Sequence, residues 1–195
     1  MPGSASPVFY YDTNSPYAYL AAHRVGDLIP DAVWRPLPLG VLFRAIGKVP
    51  WSLQPDRAAG MAECERRAAE RGLPPLRWPE GWPAEAWSFN PLRAAIVADE
   101  HGRQRELALE CFRLVFEEGR QMNDLDNVLE AARAAGLDPG EVRGRVGDQA
   151  VKDALRAFTD EAIALGVVGV PTVAVGDQLY WGDDRLEEAA AAAAA

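Results

Sequence analysis

The pattern of apolar and polar residues predicts that the chain opens as strand, helix, strand. Four consecutive β-branched or aromatic residues, Val8–Tyr11, predict a buried strand that ends in a polar turn. Ser15 and a following proline are typical of a helix start, and apolar residues then recur at helical spacing over Pro16–Leu28. Residues 32–39 predict a second strand, and their prolines favour an edge position in a sheet.

The middle of the chain, from about residue 40 to about residue 147, shows helical spacing only. Candidate helices cover residues 56–71, 92–100, 104–118 and 124–135. A strongly amphipathic helix follows over residues 148–165 and ends at Gly166. Residues 171–175 and 178–181 predict a hairpin, and we expect a last helix to begin near Asp183 or Asp184, either of which can cap it.

These elements predict an α/β fold with a helical segment placed in its middle. If the middle is set aside, the order is β-α-β followed by α-β-β-α, which is the element order of a thioredoxin domain. The sequence therefore predicts a thioredoxin-like domain made of residues 1–39 and 148–195, interrupted by an all-helical insertion domain of residues 40–147.

Composition narrows the possible partners. The chain has 195 residues and a net charge of −9, whereas a nucleic-acid-binding protein needs a basic surface, so nucleic acid is excluded as the main partner. The sequence has no apolar run that would span a bilayer, and Met1 to Pro7 lack the features of a secretory signal. We therefore expect a cytoplasmic protein.

The two cysteines do not form a motif. Cys64 and Cys111 are far apart in sequence, with no C-x-x-C spacing and no clustered histidine, so we expect neither a metal site nor a dithiol couple. Each lies among apolar residues at helical spacing and is interpreted as a small core residue.

Ser15-Pro16-Tyr17-Ala18 lies where the first strand passes into the first helix. Free backbone N–H groups and the positive end of the helix favour a nearby anion at such a point. A thioredoxin carries C-x-x-C there, whereas Ser15 and Ala18 cannot form a disulfide. The alternative interpretation is that Ser15 is only a helix cap.

Two further places combine polar groups with a structural position. Val170-Pro171 precedes the third predicted strand and is a candidate cis-proline turn, which would leave the Val170 backbone free to pair with an extended peptide; an ordinary trans turn is the alternative. Asp183 and Asp184 follow the last strand, where a carboxylate beside free N–H groups can bind an α-amino acid group as well as cap the helix.

Together these stretches resemble the 2-hydroxychromene-2-carboxylate isomerases and the kappa-class glutathione transferases, within the DsbA-like thioredoxin superfamily. The matching stretches are Phe9-Tyr10-Tyr11-Asp12 with Ser15-Pro16-Tyr17-Ala18-Tyr19-Leu20, Gly169-Val170-Pro171-Thr172, and Trp181-Gly182-Asp183-Asp184-Arg185-Leu186. The resemblance implies glutathione as cofactor, with Ser15 as the catalytic residue. It also implies that Val170, beside cis-Pro171, contacts glutathione, that Asp183 and Asp184 hold its γ-glutamyl end, and that the protein is a homodimer.

The chain departs from the family pattern at Lys48, where the family usually has an asparagine that contacts glutathione. A lysine there would instead pair with the glycine carboxylate of glutathione or with an acidic substrate. An aromatic carboxylate substrate also needs a cation and an apolar wall, although each tryptophan could equally pack within a helical lid. The candidate substrate-binding residues are Tyr17, Arg44, Asn90, Arg93, Trp51 and Trp87.

The resemblance implies an isomerase that acts on 2-hydroxychromene-2-carboxylate or a related intermediate of aromatic catabolism. The reaction would proceed by reversible addition of a glutathione thiolate that Ser15 stabilises. A kappa-class-like glutathione transferase is an alternative, because the same thiolate serves both reactions. A second alternative is a non-catalytic module that binds a peptide or protein partner along the Val170 edge.

Overall fold

A four-stranded mixed sheet lies at the centre of the structure, a computed structural model that describes residues 6–195. Residues 1–5, which belong to the segment examined for an export signal, lie outside this range. The strands β1 (Val8–Tyr11), β2 (Val33–Pro36), β3 (Thr172–Val175) and β4 (Gln178–Trp181) are arranged in the order β2-β1-β3-β4. β1 runs parallel to β2 and antiparallel to β3, and β3 runs antiparallel to β4. β2 therefore lies at an edge, as its prolines predict.

Helices surround this sheet and form the whole middle of the chain. They are α1 (Pro16–Leu28), α2 (Leu39–Ala45), α3 (Arg57–Glu70), α4 (Phe89–Asp99), α5 (Gln104–Phe116), α6 (Leu125–Ala134), α7 (Pro139–Arg145), α8 (Gln149–Leu165) and α9 (Leu186–Ala193). A short 3₁₀ turn, Trp51–Leu53, precedes α3. α1 packs against α3, α5 and α9, while α8 packs against α2, α4 and β2.

β1 carries the centre of the core. Its residues Phe9, Tyr10 and Tyr11 are fully buried, because β1 has a neighbouring strand on each side. Cys64 and Cys111 are also buried, as their apolar surroundings predict. Burial raises the pKa of both thiols to about 12, so neither is a reactive thiolate in the folded protein.

Two local predictions are wrong, and one helix was not predicted. β2 is shorter than residues 32–39, because Leu39 already begins α2 and its N–H binds the Asp12 side chain rather than a neighbouring strand. The last helix begins at Leu186, close to the predicted start, but its N-cap is Arg185 and neither Asp183 nor Asp184 caps it. Helix α7, capped by Asp138, was not anticipated.

Within residues 6–195, no helix is both long enough and apolar enough to span a membrane.

Candidate functional site

One cavity of about 610 Å³ brings together three regions that are distant in sequence. It is lined by the start of α1, by the turn before β3 and by the turn after β4. Its other walls come from α2, from the 3₁₀ turn and from the loop that leads into α4. The volume is within the range of cavities that bind small molecules, about 300–1,000 Å³.

Ser15 lies at the point of this cavity where α1 begins. It is the N-cap of α1, and its Oγ accepts a hydrogen bond of 3.2 Å from the backbone N–H of Ala18. The residue is 4% exposed, and within residues 6–195 its hydroxyl group donates no hydrogen bond. Ser15 therefore caps the helix and still has an O–H donor available to a ligand. Both interpretations of the sequence are compatible with this geometry.

Asp12, at the end of β1, ties the elements around Ser15 together. Its Oδ1 accepts a 2.9 Å hydrogen bond from the N–H of Asn14, and its Oδ2 accepts bonds of 2.9 Å from the N–H of Leu39 and the hydroxyl of Ser88. Asp12 is 2% exposed, and burial raises the pKa of its carboxyl above the ordinary value, although these three hydrogen bonds act in the opposite direction. Asp12 thus joins the loop before α1 to the starts of α2 and α4.

Val170 and Pro171 lie on the same cavity as Ser15. The peptide bond between them is cis, as is the bond between Trp82 and Pro83. The carbonyl oxygen of Pro171 accepts a 2.9 Å hydrogen bond from the N–H of Gly182. Among the residues that the structure describes, the backbone N–H and C=O of Val170 bind no other group, so both are available to an extended ligand.

The structure separates the roles of the two neighbouring aspartates. Asp183 is 1% exposed, and its carboxylate pairs with Arg67 of α3 at 2.8 Å and with Arg71 just beyond that helix. Its carbonyl oxygen accepts a bond of 3.1 Å from Arg24 of α1. Asp184 is exposed, lines the cavity and forms no ion pair within the described part of the chain. The carboxylate that is free for a ligand is therefore that of Asp184.

Aromatic side chains form the apolar wall of the cavity. The ring centroids of Tyr17 and Trp51 are 5.8 Å apart, and those of Trp51 and Trp82 are also 5.8 Å apart. The indole N–H of Trp82 donates a 3.2 Å hydrogen bond to the carbonyl of Asn14, which fixes this wall to the loop before Ser15. Trp87 lines the cavity and is 59% exposed, so it lies at the opening. These positions suit the flat face of an aromatic ligand.

Most of the candidate residues meet at this cavity, but three do not line it. Arg44 lies on the cavity wall, where no carboxylate of the described residues pairs with it. Lys48 lies next to the cavity, with its Nζ 5.3 Å from the ring centroid of Trp181. Asn90 donates a 3.2 Å hydrogen bond to the carbonyl of Asn123, and Arg93 faces a neighbouring cavity.

Sequence reasoning assigned no role to Asp12 or Arg67, which both line the cavity. Asp12 could have been noticed as a carboxylate directly after a wholly apolar strand. Arg67 gave no comparable signal, because its partner Asp183 is 116 positions away. No group of three or more metal-binding side chains occurs within residues 6–195.

The fold and this cavity define a class of protein. A strand-helix-strand unit and a hairpin with a following helix form the thioredoxin-like fold. Ser15, at the start of the first helix, occupies the position of the first cysteine of the thioredoxin C-x-x-C motif. The class is therefore a thioredoxin-fold protein without a redox pair at its active position. The family model described as "DSBA-like thioredoxin domain" matches residues 8–194, and the chain belongs to this family.

Relatives within this family extend over almost the whole chain. A 2-hydroxychromene-2-carboxylate isomerase of Sphingobium xenophagum is 27% identical over 186 residues, which cover 92% of this chain and 93% of the relative. An isomerase of the same name from Pseudomonas putida is 28% identical over 189 residues, covering 91% and 89%. The solved structure of a 2-hydroxychromene-2-carboxylate isomerase superposes with a TM-score of 0.83 at 25% identity and covers 95% of this chain and 93% of that one.

Proposed function

We propose that this protein is a glutathione-dependent isomerase that acts on 2-hydroxychromene-2-carboxylate or a closely related aromatic carboxylate. The observation that carries the proposal is Ser15, whose unengaged O–H lies at the N-terminus of α1 in a cavity lined by aromatic rings. Relatives that carry this isomerase name and match over nine-tenths of the chain support the choice of reaction.

The residues around the cavity fit glutathione, which is a short peptide with an α-amino acid end. The free N–H and C=O of Val170 can pair with its backbone in the manner of an added strand. The carboxylate of Asp184 is available to its ammonium group, whereas that of Asp183 is already neutralised by two arginines. Lys48, next to the cavity across Trp181, would bind the glycine carboxylate.

Ser15 and the helix end favour a negatively charged sulfur over a neutral one. When bound, glutathione supplies the sulfur nucleophile that the chain itself lacks at this position. The Ser15 hydroxyl would donate a hydrogen bond to that charge, and the amides at the start of α1 would add the positive end of the helix dipole. A hydrogen bond to a charged group contributes about 1.5–3 kcal/mol, and each tenfold gain in the ionised fraction corresponds to about 1.4 kcal/mol.

The rest of the cavity would orient the substrate. Arg44 is the cation available to the substrate carboxylate, and a guanidinium binds a carboxylate through two parallel hydrogen bonds. Trp51 and Trp87 would pack against the aromatic ring of the substrate. This packing would exclude water from the reacting atoms. An isomerisation leaves the redox state unchanged, which agrees with the absence of a cysteine at positions 15 and 18.

A homodimer and a cytoplasmic location belong to the same proposal. Large apolar side chains are exposed in and just before the 3₁₀ turn, among them Val49 at 66% and Leu53 at 56%, and a second copy of the chain would cover such positions. Sedimentation equilibrium tests the assembly, and a monomer at micromolar concentration would contradict it.

The proposal is tested by calorimetric titration with reduced glutathione, followed by turnover of 2-hydroxychromene-2-carboxylate with and without glutathione. We expect saturable binding and glutathione-dependent turnover. Turnover of a chlorodinitrobenzene-type electrophile without isomerisation would favour a transferase instead. Absence of glutathione binding by the wild type would contradict the central proposal.

Two variants separate the hydroxyl of Ser15 from its capping role. Ser15→Ala removes both, whereas Ser15→Gly removes the hydroxyl at a cost of only a few tenths of a kcal/mol in capping. We expect both variants to lose about 10- to 100-fold in kcat while glutathione still binds, because the lost bond is made to the charged sulfur. Full activity in Ser15→Gly would show that Ser15 is only a cap.

A further inference from the structure

A second cavity, of about 370 Å³, lies between α2, α4 and α8. It shares Pro38, Val41 and Phe89 with the cavity at Ser15, so the two cavities adjoin each other. Apolar side chains line part of it, including the buried Leu155. A bound molecule would therefore meet an apolar surface on at least one side.

The polar part of this lining carries more basic than acidic side chains. Arg93 of α4 and Lys152 and Arg156 of α8 all face the cavity, whereas Asp160 is its one carboxylate within residues 6–195. None of these three cations forms an ion pair within the described part of the chain, although the protein carries a net charge of −9. Like charges placed close together without a partner repel each other, so this cluster favours an anion from outside.

Arg93 is already held in place for such an anion. Its guanidinium carbon lies 5.3 Å from the ring centroid of Phe89, and its Nε is enclosed without any hydrogen-bond partner among the described residues. A buried donor without a partner is unfavourable, and a carboxylate that accepts from Nε and a terminal nitrogen would satisfy it. An arginine that is fixed beforehand also loses less conformational freedom on binding.

We propose that this second cavity is a binding site for an aromatic carboxylate. The carboxylate pairs with Arg93 and Lys152, and the ring packs against Phe89, Val41 and Leu155. The site needs neither glutathione nor Ser15. Because it adjoins the first cavity, it would hold an aromatic acid next to the place where the proposed reaction occurs.

The site is tested with salicylate as the probe and ¹⁵N-labelled protein, by following backbone amide shifts during titration. We expect saturable shifts in α4 and α8 around Arg93 and Lys152. Acetate, which lacks the ring, and benzyl alcohol, which lacks the carboxylate, should each bind at least about tenfold more weakly, because each loses one half of the recognition. Shifts confined to the residues around Ser15 would overturn the proposal.

Variants show which charges act. Arg93→Met keeps much of the apolar stem and should weaken salicylate binding about tenfold, while Lys152→Met should weaken it about threefold. Arg133→Met is the matched control, since Arg133 is exposed and lines neither cavity. If Arg133→Met weakens salicylate binding equally, the effect comes from net charge and the proposed site is overturned. Unchanged binding in Arg93→Met and Lys152→Met would also overturn it.

Discussion

Asp183 and Asp184 provide the sharpest test of the structure, because two neighbouring aspartates have opposite environments. Asp183 is buried and paired with Arg67 and Arg71, whereas Asp184 is exposed and unpaired among the described residues. We expect Asp183→Asn to destabilise the fold and Asp184→Asn to leave stability within about 0.5 kcal/mol of the wild type. For glutathione affinity we expect the larger effect in Asp184→Asn, which should weaken binding about fivefold to twentyfold.

The magnitude for Asp183→Asn follows from its contacts. Removing one partner of a buried ion pair costs about 3–5 kcal/mol, because the remaining charge is left without a counter-charge. The side chains of Arg67 and Arg71 are 24% and 22% exposed, so water solvates them in part and the cost lies near the lower limit. A loss of about 3 kcal/mol lowers Tm by roughly 6–12 °C in a chain of this length.

Urea unfolding of wild type, Asp183→Asn, Arg71→Met and the double variant measures the interaction directly. A coupling free energy of about 1–3 kcal/mol between Asp183 and Arg71 is expected, since the residues are in contact. Unchanged stability in Asp183→Asn, or a coupling near zero, would refute the assignment of Asp183 to the fold. In that case the aspartate would be free to bind a ligand.

Three further predictions concern Asp12, the two cysteines and Gly60. Burial raises the pKa of Asp12, so the folded state binds its proton more tightly than the unfolded state and the contribution of this group to stability falls as pH rises above about 4. The stability advantage of wild type over Asp12→Asn, measured by urea unfolding, should therefore be larger at pH 4.5 than at pH 7.5, and an advantage that grows with pH would contradict this. Cys64 and Cys111, whose pKa burial raises to about 12, should not react with a thiol reagent at pH 8 until the protein is unfolded, and rapid labelling of the native protein would contradict their burial. In Gly60→Ala the new Cβ would lie 2.4 Å from the ring of Trp51, so the ring must move, and we expect a severalfold higher KM for the aromatic substrate; an unchanged KM would exclude Trp51 from the substrate wall.

The sequence predicted elements whose signals are local. The strand at Val8–Tyr11 and the helix capped by Ser15 both depend on residues within a few positions, and both are confirmed. The prediction that Asp183 could cap the last helix was wrong for a reason outside that window. Asp183 has the side chain of a good cap, but Arg67 and Arg71, more than 100 positions earlier, bind its carboxylate. A local rule cannot detect such competition.

The candidate site shows the same limit. Ser15, Val170 and Asp184 were identified from motifs, and the structure places all three on one cavity. Arg93 was chosen for its charge alone, and the fold turns it toward the second cavity. The direction in which Arg93 points depends on how α4 packs against α5 and α8. The helical pattern of α4 alone does not specify this packing.

Three hydrogen bonds or ion pairs that join the central helical segment to the thioredoxin-like part of the chain lie around the first cavity. Ser88 donates to Asp12, Trp82 donates to the carbonyl of Asn14, and Arg67 pairs with Asp183. Each of these contacts joins a residue of the helical segment either to the loop before Ser15 or to the turn after β4. A displacement of the helices would therefore move the walls relative to Ser15, so the contacts that hold the chain together also set the shape of the site. For this reason Asp183 can affect catalysis through the position of α3 without touching a ligand. Substitutions of Asp183 should therefore change kcat in proportion to their effect on stability, whereas substitutions of Asp184 should not.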